Sequence, residues 1–148
     1  MTECFTVRSA DWAADEAAIH AVRQQVFVIE QDVPPALEWD GLDNVCRHAV
    51  AEDVSGNVVG TGRLHIDPSG AKIGRMAVLR AHRGKGIGAL LLKQLLTEAA
   101  SATAENIYLN AQTTVIDFYS AFGFEAEGPE FDEAGISHRR MVYRNHNA

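Results

Sequence analysis

The chain has 148 residues, of which 47% are hydrophobic and 22% are charged, so one domain over residues 1–148 can bury a sizeable apolar core. Its formal net charge of −7 disfavours nucleic acid and anionic membranes as partners. Cys4 and Cys46 fit reduced thiols better than a disulfide scaffold, and no His/Cys/Asp cluster has metal-binding spacing. No apolar run approaches the ~20 residues of a membrane span, and the N-terminus lacks a signal-peptide pattern. We therefore expect a cytoplasmic protein with no metal.

The first part of the chain predicts a short strand followed by a long helix. Residues 5–8 fit the strand, and Asp11 is a suitable N-cap for the helix, which is expected to end near Gln31. The helix is predicted from an apolar stripe formed by Ile19, Val22, Val26 and Ile29. Residues 32–44 contain two prolines and are expected to be irregular.

This irregular segment combines Trp39 with the carboxylates of Glu38 and Asp40. Loops with aromatic and acidic side chains often carry function. The alternative is a solvated connector whose Trp39 folds back onto the core.

Three strands are predicted next, over residues 46–52, 58–66 and 71–79. The links between them are short and rich in turn residues, which predicts antiparallel hairpins. Bulges or close backbone approaches are expected at Gly60, Gly62 and Gly74.

The second half of the chain predicts a long helix, a buried strand, a short helix and the last strands. The long helix has an apolar face formed by Leu91, Leu92, Leu95, Leu96 and Ala99. The buried strand covers residues 107–111, and Gly123 is suited to end the short helix. The short helix has an apolar face formed by Val115, Phe118, Tyr119 and Phe122. Phe124 and residues 137–144 fit the last strands, with residues 125–135 as an acidic loop.

A basic, glycine-rich turn joins the third predicted hairpin strand to the long helix. The first N–H groups of a helix lack intrahelical partners and lie at the positive end of its dipole, and glycines let a ligand approach the backbone. The turn therefore favours an anion such as a phosphate, with positive charge from Arg80, Arg83 and Lys85. An ordinary glycine-rich loop with exposed basic residues is the alternative. The spacing of Gly84, Gly86 and Gly88 fits neither a P-loop nor a dinucleotide fingerprint.

Arg83, Gly86 and Gly88 match the acyl-CoA signature Q/R-x-x-G-x-G/A, so the chain resembles the GNAT N-acetyltransferase superfamily. Tyr119 with Gly123-Phe124 resembles the second signature of that superfamily. Similarity to the ElaA-like branch, in which His often replaces Asn110, lies in residues 26–31, Glu38-x-Asp40-x-x-Asp43, residues 110–112 and residues 135–138.

This resemblance implies a mixed α/β (α+β) fold, with a mostly antiparallel central sheet flanked by helices. It also implies acetyl-CoA as the acyl donor, a primary amine as acceptor, direct transfer in a ternary complex, and a homodimer as one candidate assembly. The residues expected to bind acetyl-CoA lie on the strand before the turn, in the turn and after the next strand: Met76, Ala77, Val78, Arg83, Gly84, Lys85, Gly86, Ile87, Gly88, Asn110, Phe118 and Tyr119.

Catalytic and acceptor roles follow from the same resemblance. Tyr119 is expected to protonate the departing thiolate, although its place on an apolar face also fits core packing. The oxyanion is expected to meet backbone N–H groups of residues 76–78. Glu30 is the first candidate base, and Phe27, Glu38 and Asp40 are expected to line the acceptor site, with both carboxylates as further candidate bases. The strand histidines His48 and His65 fit structural roles better.

Other functions stay open at this point. A non-catalytic acyl-CoA-binding sensor or interaction module could keep the same turn, and a nucleotide-binding module is disfavoured by the glycine spacing. The acceptor could be a small amine, a peptide N-terminus or a protein lysine.

Overall fold

The computed structural model describes residues 4–144. Its strands are β1 (Thr6–Ser9), β2 (Arg47–Glu52), β3 (Val58–Asp67), β4 (Gly70–Val78), β5 (Ile107–Gln112), β6 (Phe124–Glu133) and β7 (Ile136–Tyr143). They form one sheet in the order β1-β2-β3-β4-β5-β7-β6. Every neighbouring pair is antiparallel except β4 and β5, which are parallel. The predicted mixed, mostly antiparallel sheet is confirmed.

In the part of the chain that the structure describes, four α-helices flank the sheet: α1 (Trp12–Arg23), α2 (Pro35–Glu38), α3 (Ile87–Ser101) and α4 (Ile116–Ser120). A π-helical segment, Gln24–Glu30, continues α1 directly. Single 3₁₀ turns cover Asp43–Val45, Arg80–His82 and Thr113–Val115. Within residues 4–144, no helix is long and apolar enough to cross a membrane.

The larger core lies between the sheet and α3. The predicted apolar face of α3 is confirmed, with Leu91, Leu92 and Leu95 fully buried. The expected close approach occurs where β3 crosses this helix: a Cβ on Gly62 would lie 2.7 Å from Leu95 Cδ1 and 2.7 Å from Met76 Sδ. Because both atoms already fill that space, a side chain at Gly62 would push α3 away from the sheet.

The opposite face of the sheet is covered by α1 and the π-helical segment. Val22 and Val26 are buried there, as predicted, but Ile29 is 61% exposed, so its place on the apolar stripe is wrong. The apolar stripe was predicted with the α-helical period of about 3.6 residues per turn. A π-helix has more residues per turn, so the residues that follow Val26 are rotated away from the stripe.

Two predicted loops contain regular structure. Residues 32–44 include α2, which begins at Pro35 because the first helical position needs no N–H donor. The expected acidic loop over residues 125–135 is wrong, since most of it is the edge strand β6. Ala134 and Gly135, with φ of 55° and 79°, form the tight turn to β7. Val115 lies in a 3₁₀ turn and is exposed rather than on the apolar face of α4.

Candidate active site

The parallel strands β4 and β5 pair over three residues only, from Ala71↔Ile107 to Ile73↔Leu109. Beyond this point β4 pairs only with β3 on its other side, and β5 only with β7. The two strands therefore open into a wedge lined by the free edges of residues 74–78 and 110–112. We call this gap the β4–β5 split. An edge that no strand covers offers backbone donors and acceptors to a ligand.

The glycine-rich turn lies at the end of β4. Gly84 and Gly86 have φ of 78° and 81°, and within residues 4–144 no atom lies within 4 Å of where their Cβ atoms would be. Gly86 is the residue before α3 and has no side chain with which to cap it. The first amides of this 15-residue helix therefore face an open concave backbone, which suits a phosphate. Ile87 is buried on the sheet and anchors the helix start.

The side chain of Arg83 lies beside this turn and is already paired. Its guanidinium donates two hydrogen bonds to the carboxylate of Glu30, at 2.6 and 2.7 Å. Its Nε donates to Val78 O at 2.9 Å. Because Leu79 N donates to Val59 O on β3, strand alternation turns the N–H and C=O of Val78 toward the split. Arg83 thus links the π-helical segment to the free edge of β4.

This pairing bears on both predicted roles. The hydrogen bonds from Arg83 lower the pKa of the Glu30 carboxyl, which makes Glu30 a weaker base. The base role of Glu30 and the phosphate contact of Arg83 stay predictions. The geometry adds that the pair positions the free edge of β4, through the bond from Arg83 to Val78 O. Lys85 lies nearby, with its Nζ 5.9 Å from the ring centroid of Phe5.

Tyr119 lies after β5, on the α3 side of the sheet. It is 9% exposed, with ring centroids 5.0 Å from Phe118 and 6.0 Å from Phe124. Burial raises the pKa of Tyr119 to about 12, so its hydroxyl stays protonated at neutral pH. Within residues 4–144 this hydroxyl makes no hydrogen bond to another residue. Phe118 extends over the start of α3, where a Cβ on Gly88 would lie 3.5 Å from its ring.

The predicted acceptor carboxylates belong to a cluster with three arginines, in which Glu38 is buried and Asp40 lies at the exposed rim. Arg23, which is fully buried, donates to Glu38 Oε2 at 2.6 Å and to Asp43 Oδ1 at 2.7 Å. Arg63 binds both oxygens of Asp40, at 2.9 and 2.7 Å, and also Asp43 Oδ1 at 3.0 Å. We call these residues, together with Arg75, the arginine cluster.

Burial raises the pKa of Glu38 although arginines surround it, whereas the hydrogen bond from Arg63 lowers the pKa of Asp40. Three arginines balance three carboxylates, so the cluster carries no net charge when all six are ionised. The predicted acceptor role of Glu38 and Asp40 stays a prediction. Their pairing shows that they also hold residues 38–43 against β3 and β4.

Arg75 was missed by sequence reasoning. It is the extra residue of a β-bulge between Thr61↔Ala77 and Arg63↔Gly74, and it has a φ of 51°. Its Nη2 donates to Leu37 O and Glu38 O, each at 3.2 Å, and its Nε lies 3.2 Å from Glu38 Oε1. A non-glycine residue in this conformation is itself a structural signal that no sequence pattern carries.

The remaining predicted residues lie on both sides of the sheet. Phe27 packs against Val22, Val26 and Ala77 on the α1 side. Met76 points to the α3 side. Asn110, on the free edge of β5, donates to Glu133 Oε1 at 3.4 Å. The sequence had not indicated Glu133 or its neighbour His138 as site residues.

Neither strand histidine is placed to act as a base. His48 is buried, its ring stacks on Trp12, and burial lowers its pKa, so it is poorly accessible to an acceptor. His65 is at the far end of β3, 3.8 Å from Asp67. Among the residues described, no group of three or more His, Cys, Asp or Glu side chains could hold a metal ion.

Comparison with known proteins agrees with this geometry. Residues 13–145 match the model of the acetyltransferase (GNAT) domain family. The chain is 39% identical over 122 residues to the uncharacterised N-acetyltransferase YjcF of Bacillus subtilis, covering 82% of this chain and 86% of that protein. An acyl-CoA N-acyltransferase from Pseudomonas aeruginosa is 29% identical with a TM-score of 0.81, covering 97% and 100% of the two chains. Escherichia coli ElaA is 25% identical with a TM-score of 0.83, covering 95% and 100%.

The chain therefore belongs to the GNAT acetyltransferase family, which implies acetyl transfer as its general reaction. The resemblance expected from Arg83, Gly86 and Gly88 is confirmed at this level.

Proposed function

We propose that this protein moves the acetyl group of acetyl-CoA to a primary amine by direct transfer in a ternary complex. The observation that carries the proposal is the β4–β5 split, which opens where the Gly84–Gly88 turn presents the amides of α3. Free strand edges would hold the amide-bearing arm of CoA, and the turn would hold its pyrophosphate.

The residues present fit this ligand. The backbone of Gly84 and Gly86 is concave and open, and Phe118 extends along the same helix start. Bound acetyl-CoA supplies a thioester whose carbonyl accepts the amine. The Val78 N–H faces the split and would stabilise negative charge that develops on the carbonyl oxygen.

Tyr119 supplies the proton that the departing thiolate needs. Its pKa of about 12 keeps it in the acid form, and its ring packs in the core on the α3 side, from which the turn would deliver acetyl-CoA. The acceptor is proposed to enter from the α1 side, past Phe27, Glu38 and Asp40. Metal-free transfer, a single domain, a cytoplasmic location and a homodimer remain predictions.

A pair of glycine variants tests the binding step. Gly86→Glu places a side chain and a negative charge in the turn and should abolish the thermal stabilisation by acetyl-CoA. At about 100 times its Kd, this ligand should stabilise the native protein by about 2.7 kcal/mol. Gly128→Glu is the matched control, because Gly128 also has positive φ (75°) and open space but lies on the edge strand β6.

Thiol release from acetyl-CoA with a panel of amines tests the catalytic step. Binding without turnover of any amine would leave the non-catalytic sensor as the better description. A Gly86→Glu protein that acetyl-CoA still stabilises like the wild type would contradict the proposed cofactor site.

A further inference from the structure

The proposed reaction needs a group that takes a proton from the acceptor, because only an uncharged amine can attack a carbonyl. The carboxylates considered so far are poorly suited. Glu30 holds both nitrogens of the Arg83 fork, and Glu38 and Asp40 are held by the arginine cluster. A base must also lie on the side from which the acceptor enters.

His138 lies on that side. Met141 of β7 is fully buried in the core below α3, so His138, three residues earlier, points to the opposite face. It pairs directly across the sheet with Gln112, whose amide donates to Gln31 at the end of the π-helical segment. His138 therefore lies on the α1 side, and Tyr119 on the α3 side.

The strand registers place His138 at the depth of the β4–β5 split. Pairing between β4 and β5 ends at Ile73↔Leu109, and Gln112 lies three residues beyond Leu109. Three residues beyond Ile73 is Met76, next to the predicted oxyanion donors. His138 is on β7, the next strand after β5 in the sheet. It therefore lies at the same depth along the strands as the predicted oxyanion donors, where the acetyl carbonyl of a bound acetyl-CoA would lie.

A backbone contact determines which ring nitrogen of His138 can accept a proton. Nδ1 lies 2.7 Å from Ile136 O, and a carbonyl oxygen cannot donate, so Nδ1 carries the hydrogen. In the neutral ring the lone pair is then on Nε2. Glu133 Oε2 lies 3.6 Å from Nε2, which is too long for a hydrogen bond but close enough to attract a cation. Asn110 donates to the other oxygen of this carboxylate.

On its own face of the sheet, within the described part of the chain, the neighbours of His138 include no unpaired positive charge. Arg139 points to the opposite face and donates to Gly128 O at 2.8 Å. Glu133 is the acidic group from β6, and the ring of Phe131 stacks on the imidazole at 6.1 Å between centroids. From β5, the uncharged Gln112 faces it. On β7 itself, Arg140 lies over the Tyr108 ring and is bonded to Glu127 at 3.1 Å. The charged residue of the π-helical segment is Glu30, which is paired with Arg83.

We propose that His138 is the general base of the acetyl transfer and that Glu133 draws the acceptor ammonium toward it. This inference rests on the proposed function. An N–H bond of the ammonium breaks and an Nε2–H bond forms, so that the neutral amine can attack. The C–S bond then breaks while Tyr119 gives its proton to the sulfur, and the proton lost by the new amide nitrogen restores Tyr119. The proton on His138 leaves to solvent, so one proton is released per turnover.

His138→Asn tests the assignment, because an amide can still donate to Ile136 O but cannot act as a base. With the fastest amine from a panel of spermidine, lysine, glycylglycine and a lysine-containing peptide, kcat should fall 10²–10⁴-fold. Without the base only amine that is already neutral in solution can react, so kcat/KM should keep rising up to the pKa of the amine and its pH profile should lie at higher pH than that of the wild type. The acetyl-CoA melting shift should not change. Imidazole added to His138→Ala should restore part of the rate. His65→Asn is the matched control and should leave all these values unchanged.

Each outcome decides one point. If the wild type turns over amines and His138→Asn keeps its kcat and pH profile, the base assignment is wrong and the proposed function stands. If the wild type binds acetyl-CoA but acetylates no amine, both fail. Should His138→Asn not fold, Glu133→Gln still decides, since its side chain is half exposed. An unchanged acceptor KM in that variant would overturn the proposal, and a several-fold higher KM would support it.

Discussion

Replacing Arg23 with methionine should strongly destabilise the protein. Arg23 is fully buried and donates to Glu38, at 2.6 Å, and to Asp43, at 2.7 Å, and its guanidinium lies 4.9 Å from the ring centroid of Trp39. Methionine fills similar space but leaves two buried carboxylates with less compensation. Removing one partner of a buried ion pair costs about 3–5 kcal/mol. For a chain of this size, that corresponds to a Tm lower by about 6–20 °C.

The unfolding free energy lost in Arg23→Met should increase with pH. Burial raises the pKa of Glu38 in the folded protein, so its protonated form contributes stability that is present at low pH and lost as pH rises through the folded pKa. Without Arg23 that pKa rises further, because a neighbouring cation no longer favours the carboxylate. The deficit of Arg23→Met should therefore be larger at pH 7 than at pH 5.

Urea denaturation at both pH values measures this effect. Arg47→Met is the matched control, because Arg47 is exposed and its side chain makes only a 3.5 Å contact with Glu98 O within residues 4–144. This variant should change the unfolding free energy by less than about 0.5 kcal/mol. Adding Glu38→Gln to Arg23→Met should recover part of the loss by removing an unpaired charge. If Arg23→Met behaved like the Arg47 control at pH 7, the structural importance assigned to the cluster would be wrong.

Two further predictions concern the proposed catalytic site. Tyr119→Phe keeps the ring packing and should lower kcat at least ~10-fold with unchanged acetyl-CoA affinity; a wild-type kcat where chemistry limits the rate would return Tyr119 to a packing role. Glu30→Gln removes the ionic pairing with Arg83 and should raise the KM for acetyl-CoA several-fold, because Arg83 then holds the β4 edge less firmly. A large loss of kcat with unchanged KM would instead support Glu30 as a base, and initial-rate kinetics separates the two results.

Local sequence patterns were sufficient for much of the fold. Three kinds of feature could be predicted because each acts through residues close in sequence. They are the leucine spacing of α3, the turn residues of the β2–β3 and β3–β4 hairpins, and the glycine that ends α4. The turn Arg83–Gly88 was readable for the same reason, since a glycine-rich entry to a helix has the same chemistry wherever the strand lies. Local patterns failed at β6, whose nearly continuous exposure removes the polar–apolar alternation by which strands are recognised.

The sequence by itself therefore determined most of the helices and strands, the family resemblance and the position of the glycine-rich turn. Tertiary structure decided which side chains are available for chemistry. Glu30 is 53 residues from Arg83, and Asp40 is 23 residues from Arg63, yet each carboxylate is held by that arginine. The bulge at Arg75 likewise depends on how β4 pairs with β3. Charge pairing and burial follow distances in space, and periodicity along the chain contains no information about contacts made across a sheet.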